Sequence, residues 1–222
     1  KILGIALLSG LIPSLLWLWF WLKEEKKKPE PTKLLVMVFL FGMLAVVFTL
    51  PLQKSIQGFL DEGTLRLIIW ASIEEIMKLL AVLIVLYKTK FKNKPIDWPI
   101  YLVTSALGFA ALENALFLIT PIASGEHTIS LLTGQLRFLG STLLHTVSSG
   151  FLGIMLGLSP YEKEFIKIKY FFGGIILAIG LHSLFNFFII RNDGNDFLKV
   201  FTSLWIVTIV MMLLFEKVRR MN

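Results

Sequence analysis

The sequence predicts an all-α fold, a polytopic transmembrane bundle of about seven helices that forms one domain over residues 1–222. Two observations point to it. The chain is 56% hydrophobic with a mean hydropathy of +0.77, whereas soluble domains are roughly 45–50% apolar. It also contains seven apolar runs, each long enough to cross about 30 Å of hydrocarbon as a helix.

The apolar runs divide into four central ones, which carry ionisable residues away from their ends, and three peripheral ones, which do not. In chain order they lie at about 2–22, 34–52, 64–87, 99–120, 135–158, 170–190 and 198–215. The first run has no small-residue cleavage site after its tryptophans, so we read it as a retained helix rather than a signal peptide. The core helices of residues 64–190 are flanked by the first, second and last runs.

The basic residues alternate between the connections. Five lysines lie in 23–33, four in 88–94 and three in 161–169, and the tail holds three basic residues, whereas the segment 121–134 has none. Positive charge marks cytoplasmic connections, so we expect the N-terminus outside and the C-terminus in the cytosol. The formal charge of +7 then faces anionic membrane lipid, and no nucleic-acid partner is needed to explain it. The absence of cysteine excludes disulfides and thiolate chemistry.

Four of the predicted spans carry ionisable or strongly polar side chains. These are Glu74, Glu75 and Lys78 on the third, Glu113 and Asn114 on the fourth, Arg137, Ser141, His145, Ser148 and Ser149 on the fifth, and His182, Ser183 and Asn186 on the sixth. The four charges of the third and fourth spans would together cost on the order of 10 kcal/mol in hydrocarbon, which demands compensation. His127, in the outer connection, is read as solvated.

The ionisable groups are predicted to share one depth. Glu74 and His145 follow the outer ends of their helices by about ten residues, or about 15 Å of helical rise. Glu113 and His182 precede the outer ends of theirs by a similar distance. One shared site in the outer half of the bilayer explains this better than four unrelated polar residues.

Helical spacing indicates which groups share a face. Lys78 can reach the carboxylate of Glu74 or of Glu75, because i, i+3 and i, i+4 positions are neighbours. His145 shares a face with Ser149, and His182 shares one with Asn186.

Four of these elements together resemble a known family. "EEIMK" (74–78) fits E-E-x-x-K and "FAALE" (109–113) fits F-x-x-x-E, and His145 and His182 follow on successive helices. This order resembles the PrsW-type intramembrane proteases, which are related to the CAAX-processing and bacteriocin-processing (CPBP) membrane endopeptidases. The resemblance covers about residues 64–190.

The resemblance implies an enzyme of the prokaryotic plasma membrane that hydrolyses peptide bonds of single-pass proteins such as anti-sigma factors, on the extracytoplasmic side. In the CPBP relatives a glutamate of the first motif activates water, and a final H-x-x-x-N, here His182 and Asn186, stabilises the oxyanion. The chain departs from those relatives in having Lys78 where they have an arginine one position later and Glu113 where they have histidine.

The expected roles follow from peptide hydrolysis, which needs an activated water, a proton donor and oxyanion donors. Glu74 or Glu75 is the candidate base, with Glu74 favoured by the resemblance. His182 and Asn186 are candidates for the oxyanion, and His145 and Glu113 for orienting water or moving the proton. Lys78, Asn114, Ser149 and Arg137 are expected to support them, with Arg137 anchoring at the interface or pairing Glu113.

Other readings stay open. A metal-free glutamate mechanism is favoured, and the alternative is zinc held by Glu75, His145 and His182, although H-E-x-x-H is absent. A serine triad is disfavoured, since helical serines usually bond their own i−4 carbonyl. A proton-coupled transporter would use the same residue types, and a non-catalytic scaffold or immunity protein of the same superfamily would keep them for stability.

Overall fold

The computed structural model describes residues 1–23, 30–87, 89, 94–125, 129, 137–191 and 197–221. Across these residues the fold is helical, with no strand, which confirms the predicted all-α class. The long helices are α1 (Ile2–Lys23), α2 (Thr32–Gln57), α3 (Thr64–Leu86), α4 (Asp97–Ala123), α5 (Thr142–Leu158), α6 (Glu164–Arg191) and α7 (Phe197–Arg219). A π-helical turn, Arg137–Ser141, leads directly into α5.

Several helices extend beyond the predicted apolar runs. α2 continues to Gln57, and α6 begins at Glu164 rather than near 170. Charged and amide side chains are solvated at the level of the lipid headgroups, so a helix need not end where its hydrocarbon-spanning part ends. The extension of α2 matters for function, because it carries Gln53 to the level of the polar residues of α3.

Six of the helices in the described part of the chain are long and apolar enough to cross a membrane. The exception is α3, whose middle carries Glu74, Glu75 and Lys78. Large apolar side chains nevertheless cover much of the outer surface, including Leu3 at 60% exposure and Ile176 at 70%. An apolar exterior of this kind is stable against lipid and unfavourable in water. The protein is therefore a multi-pass integral membrane protein, with α3 held in place by its partners.

The centre of the bundle is formed by α4 and α5. α4 packs against α1, α2 and α5, and α5 packs in turn against α6 and α7. Two glycines allow the close approach of α2 and α4. A Cβ at Gly42 would overlap the carbonyl oxygen of Ser105, and one at Gly108 would overlap that of Phe39. Small residues permit such backbone contact between membrane helices. α3 lies against α2 and α6, which places its polar face inward.

A cluster of buried charges also lies at the lysine-rich end of the bundle, and we call it the Glu30 cluster: Glu30, Lys94, Asp97 and Tyr101. The Tyr101 hydroxyl donates to Glu30 Oε2, and Lys94 Nζ lies 3.2 Å from Glu30 Oε1. The backbone N–H of Lys94 donates to Asp97 Oδ2 (3.0 Å). These contacts fasten the connection before α2 to the beginning of α4.

Candidate functional site

Helices α3, α4, α5 and α6 bring six ionisable side chains together, and we call them the Glu74 cluster: Glu74, Glu75, Lys78, Glu113, His145 and His182. Five of them are buried, and the side chain of Glu113 is 17% exposed. The structure thus brings together the ionisable side chains of the four helices that the sequence predicted to converge. The membrane orientation inferred from the lysines stays a prediction.

Glu75 is fully occupied by hydrogen bonds. Its Oε1 accepts from Lys78 Nζ (2.7 Å) and lies 2.8 Å from His182 Nδ1. Its Oε2 accepts from Ser149 Oγ (2.7 Å). A carboxylate whose two oxygens contact partners on three helices is a structural anchor, because both oxygens are already engaged.

Lys78 is the buried cation of the site, with a fully buried side chain. Its ammonium donates to Glu75 Oε1 and lies 2.7 Å from His145 Nδ1. It also lies 4.7 Å from the centroid of the Phe109 ring, in cation–π geometry. Ser105 Oγ donates to the backbone carbonyl of Lys78 (2.9 Å). Of the two glutamates that helical spacing allowed, Lys78 therefore pairs with Glu75.

The contacts of His145 determine its tautomer. The ammonium group of Lys78 can donate hydrogen bonds but cannot accept one, so Nδ1 of His145 must be the acceptor. The proton of the neutral ring is then on Nε2. Nε2 lies 3.0 Å from Glu113 Oε2 and donates to it. Arg137 Nη2 donates to the same oxygen (2.5 Å). His145 is thus held from both sides of its ring.

Glu74 differs from Glu75 in having one oxygen without a hydrogen bond. Oε1 accepts from Gln53 Nε2 of α2 (2.8 Å). Oε2 is buried and has no hydrogen-bond partner among the described residues. It lies 3.5 Å from His182 Nε2 and 3.9 Å from His145 Nδ1. The acceptor oxygen of Glu74 therefore points at two imidazole rings.

The tautomer of His182 makes this arrangement chemically unusual. Its Nδ1 donates to the Glu75 carboxylate, so in the neutral ring Nε2 carries a lone pair. Two acceptors, Glu74 Oε2 and His182 Nε2, then face each other in a buried site. Acceptors in that position are stabilised only by something electron-poor, such as the hydrogens of a water molecule, a shared proton or a metal cation.

The donor set fits a divalent metal such as zinc, with one condition. Ligand atoms of Glu74, His145 and His182 lie within 4.8 Å of one another, and carboxylate oxygen with imidazole nitrogen is an accepted zinc set. The set expected from the sequence had Glu75 in place of Glu74. In the structure it is Glu74 whose carboxylate oxygen lies with ligand atoms of both histidines, while both oxygens of Glu75 are hydrogen-bonded. The condition for metal binding is that the ammonium of Lys78 gives up its hydrogen bond to Nδ1 of His145.

The remaining predicted residues lie around the cluster. Asn114 Nδ2 donates to Thr142 Oγ1 (2.8 Å), and its Oδ1 accepts from Arg137. Asn186, one turn from His182, is half-buried and makes no hydrogen bond to a described residue. Ser141 accepts from Arg137 Nη2 (3.2 Å). His127 lies outside the described residues.

Sequence reasoning missed Gln53. A single amide near the end of an apolar run carries no helical pattern that distinguishes it from an interfacial residue. Gln53 directly follows the predicted second run, 34–52, so the sequence places it at the outer interface, about 15 Å from the expected depth of Glu74. No signal in the sequence therefore pointed to a contact between the two.

Comparison with known proteins identifies the family of the chain. Residues 30–215 match the family model described as "PrsW family intramembrane metalloprotease". The chain is 30% identical over 155 residues to "Protease PrsW" of Halalkalibacterium halodurans, an alignment covering 67% of this chain and 66% of that protein. It is also 30% identical over 162 residues to "Protease PrsW" of Clostridioides difficile, covering 69% and 66%.

The chain thus spans just under two thirds of the length of these relatives. No solved structure matches it at a comparable level of significance. The family match includes all four helices that build the Glu74 cluster. From the extent of that match, the chain belongs to the PrsW family.

Proposed function

We propose that this protein is an intramembrane endopeptidase that cleaves single-pass membrane proteins near the extracytoplasmic side of a bacterial plasma membrane. The observation that carries the proposal is Glu74 Oε2, a buried acceptor that faces a second acceptor, His182 Nε2, at 3.5 Å. A water molecule shared by these two atoms would be aligned and polarised for attack on a carbonyl. Anti-sigma-factor-like proteins are the substrate class that we infer.

Glu74 is proposed as the general base. Oε2 takes a proton from the water as its oxygen attacks the peptide carbonyl carbon. The bond from Gln53 holds Oε1, so only Oε2 is available and its direction is fixed. Glu75 is unsuited to this role, because its lone pairs are already directed at Lys78, His182 and Ser149.

His182 is proposed to pass the proton on. Its Nε2 lies 3.5 Å from Glu74 Oε2, so it receives the proton through a bridging water or after a small approach of the two side chains. The imidazolium then donates this proton to the leaving amine. The carbon–nitrogen bond breaks as that amine is protonated, and the hydroxyl of water ends on the new carboxyl. The Glu75 carboxylate on Nδ1 stabilises the transient positive charge on the ring. Asn186 is proposed to donate its amide N–H to the oxyanion.

A bound metal would alter how water is activated, but it would use residues of the same cluster. Glu74, His145 and His182 are the residues that would hold it. Bound zinc would supply a Lewis acid that polarises the carbonyl and acidifies water. We propose the metal-free form, because the ammonium of Lys78 is bonded to His145 Nδ1, one of the nitrogens a metal would need.

The test is a comparison of new protein N-termini in membranes from cells expressing the wild type or Glu74→Gln. Loss of a general base costs about 100- to 10,000-fold in rate, so cleavage should disappear. Glu62→Gln is the matched control: this carboxylate just precedes α3, is 87% exposed and pairs only with Arg66 among described residues. It should retain wild-type cleavage.

Two outcomes would contradict parts of the proposal. If the wild type and Glu74→Gln give the same termini, proteolysis is wrong, and ion flux in proteoliposomes and partner capture would distinguish the transporter from the scaffold. If purified active protein contains one metal per chain that Glu74→Gln fails to bind, the metal-free form is wrong and the endopeptidase stands.

A further inference from the structure

Arg137 makes more polar contacts than the interface anchor that its position suggests. It begins the π-helical turn that precedes α5. Its Nη2 donates to Glu113 Oε2 (2.5 Å) and to Ser141 Oγ (3.2 Å), and its Nε donates to Asn114 Oδ1 (2.7 Å). The guanidinium carbon also lies 3.8 Å from the centroid of the Phe117 ring. Its side chain is only 18% exposed, so this charge is directed into the bundle.

These contacts form a closed ring of hydrogen bonds. From the side chain of Arg137 the ring passes through Asn114 to Thr142, because Asn114 Nδ2 donates to Thr142 Oγ1 (2.8 Å). Thr142 Oγ1 then donates to the backbone carbonyl of Arg137 (3.0 Å). The ring fixes both the guanidinium and the backbone of the π turn, a local form that is frequent at functional sites.

The ring is connected to the Glu74 cluster through one oxygen atom. Glu113 Oε2 accepts from Arg137 Nη2 and from His145 Nε2 at the same time. This oxygen holds the Nε2–H of His145 and so keeps Nδ1 turned toward the ammonium of Lys78, the contact that puts the ring proton on Nε2. Without Arg137, the half-buried Glu113 carboxylate can turn toward solvent, and the His145 ring loses the acceptor that keeps its Nδ1 on Lys78.

We propose that Arg137 is a positioning residue that acts through Glu113 to hold His145 in its Nε2–H tautomer. Arg137 thereby couples the π-helical turn Arg137–Ser141 to the Glu74 cluster. The consequence for cleavage rests on the proposed function, whereas the consequence for the ring of His145 does not. Arg137 itself touches none of the groups proposed to react.

Arg66 provides a matched control within the same chain. It also lies near the outer end of its helix, pairs with a carboxylate, Glu62 (2.8 Å), and stacks over an aromatic ring, that of Trp70 (5.4 Å). Its partner Glu62 is exposed and has no bond to the Glu74 cluster. Arg66→Gln therefore removes an arginine of similar surroundings without touching the proposed connection.

The first measurement is the cleavage kinetics of purified protein in proteoliposomes with a substrate identified from the N-terminal profiles. Arg137→Gln should lower kcat about 10- to 100-fold, as expected for a misplaced catalytic group, while KM changes less than about twofold. Arg137→Lys should restore only part of kcat, because an ammonium can pair Glu113 but cannot also bind Asn114 as a planar fork. Arg66→Gln should match the wild type. A raised KM with unchanged kcat would overturn the proposal and indicate a substrate contact.

The second measurement needs no substrate. The chain has three histidines. ¹⁵N-histidine labelling of the wild type and of the His127→Gln and His182→Gln variants therefore assigns the ring signals of His145. The wild type should show His145 as the Nε2–H tautomer, and Arg137→Gln should shift those signals toward a mixture of tautomers, with Arg66→Gln unchanged. Identical His145 signals in wild type and Arg137→Gln would overturn the proposal. If the wild type cleaves nothing, the proposed function fails, and these spectra still decide the role of Arg137.

Discussion

The bundle holds two charged clusters, and their contrast indicates which features favour the Glu74 cluster as the candidate site. The Glu30 cluster and the Glu74 cluster each combine buried carboxylates with a lysine, which is partly exposed in the first and fully buried in the second. Both contain a carboxylate oxygen without a hydrogen bond among the described residues: Asp97 Oδ1 and Glu74 Oε2. Burial and charge pairing alone therefore do not distinguish them.

The surroundings of the two oxygens do distinguish them. Asp97 Oδ1 lies 3.7 Å from the ammonium of Lys94, a cation whose side chain is 33% exposed, at the beginning of a helix. Glu74 Oε2 lies in the middle of α3 and points at two imidazole nitrogens. Asp97 has both a cation and the Glu30 carboxylate beside it, whereas Glu74 Oε2 faces imidazole nitrogens from two other helices. An oxygen placed like Glu74 Oε2 can share a water molecule, a proton or a metal with those nitrogens. Four helices build this arrangement, instead of two connections and the beginning of one helix.

The largest expected effect comes from the buried cation. Lys78→Met should abolish cleavage and reduce the free energy of unfolding by about 3–5 kcal/mol, because it leaves Glu75 charged and buried without its partner. Lys94→Met, its counterpart in the Glu30 cluster, should cost about 1 kcal/mol or less, since partly exposed pairs are screened by solvent. Unfolding in mild detergent measures both, and a larger loss in Lys94→Met would refute the distinction between the clusters.

Tyr101→Phe removes one hydrogen bond from the Glu30 cluster. The hydroxyl is buried and donates to a carboxylate, so the free energy of unfolding should fall by about 1.5–3 kcal/mol. Cleavage by the folded fraction should be unchanged, because Tyr101 lies about three turns along α4 from Glu113, or about 18 Å at helical rise. A specific activity below half of the wild type, per folded molecule, would show that the two clusters are coupled.

Gln53→Ala tests whether the orientation of Glu74 matters. The loss of the donor to Oε1 lets the carboxylate rotate, and cleavage should fall about tenfold, equivalent to about 1.4 kcal/mol in the barrier. Gln57→Ala, one turn further out on α2, is the control. Comparison of kcat with unfolding stability separates orientation from folding, and wild-type kcat in Gln53→Ala would mean that Glu74 does not depend on α2.

The smallest expected effect is that of Asp97→Asn. The amide oxygen can still accept from the backbone N–H of Lys94, and the residue lies far from the proposed chemistry. Cleavage should stay within about twofold of the wild type, in contrast to the loss expected for Glu74→Gln, the same kind of isosteric change in the other cluster. Equal losses of cleavage in Asp97→Asn and Glu74→Gln would contradict the functional difference between the two clusters.

The sequence by itself determined the class of the protein and most members of the buried Glu74 cluster. Apolar runs of about 20 residues allow little besides membrane helices, and the cost of charge in hydrocarbon makes Glu74, Glu75, Lys78 and Glu113 conspicuous. Only α3 deviates from the simple hydropathy picture, and it deviates because of the residues that mark the site.

Only the tertiary structure decided how those residues are paired. Helical spacing leaves Lys78 free to reach Glu74 or Glu75, since i, i+3 and i, i+4 positions are both neighbours. The choice depends on the rotation of α3 against α5 and α6, which supply Ser149 and His182 to Glu75. The same holds for Gln53, which reaches Glu74 from another helix. Spacing along one helix specifies the direction of a side chain, whereas a contact between helices depends on their packing. In this protein that packing leaves Glu74 Oε2 without a hydrogen bond to any described residue.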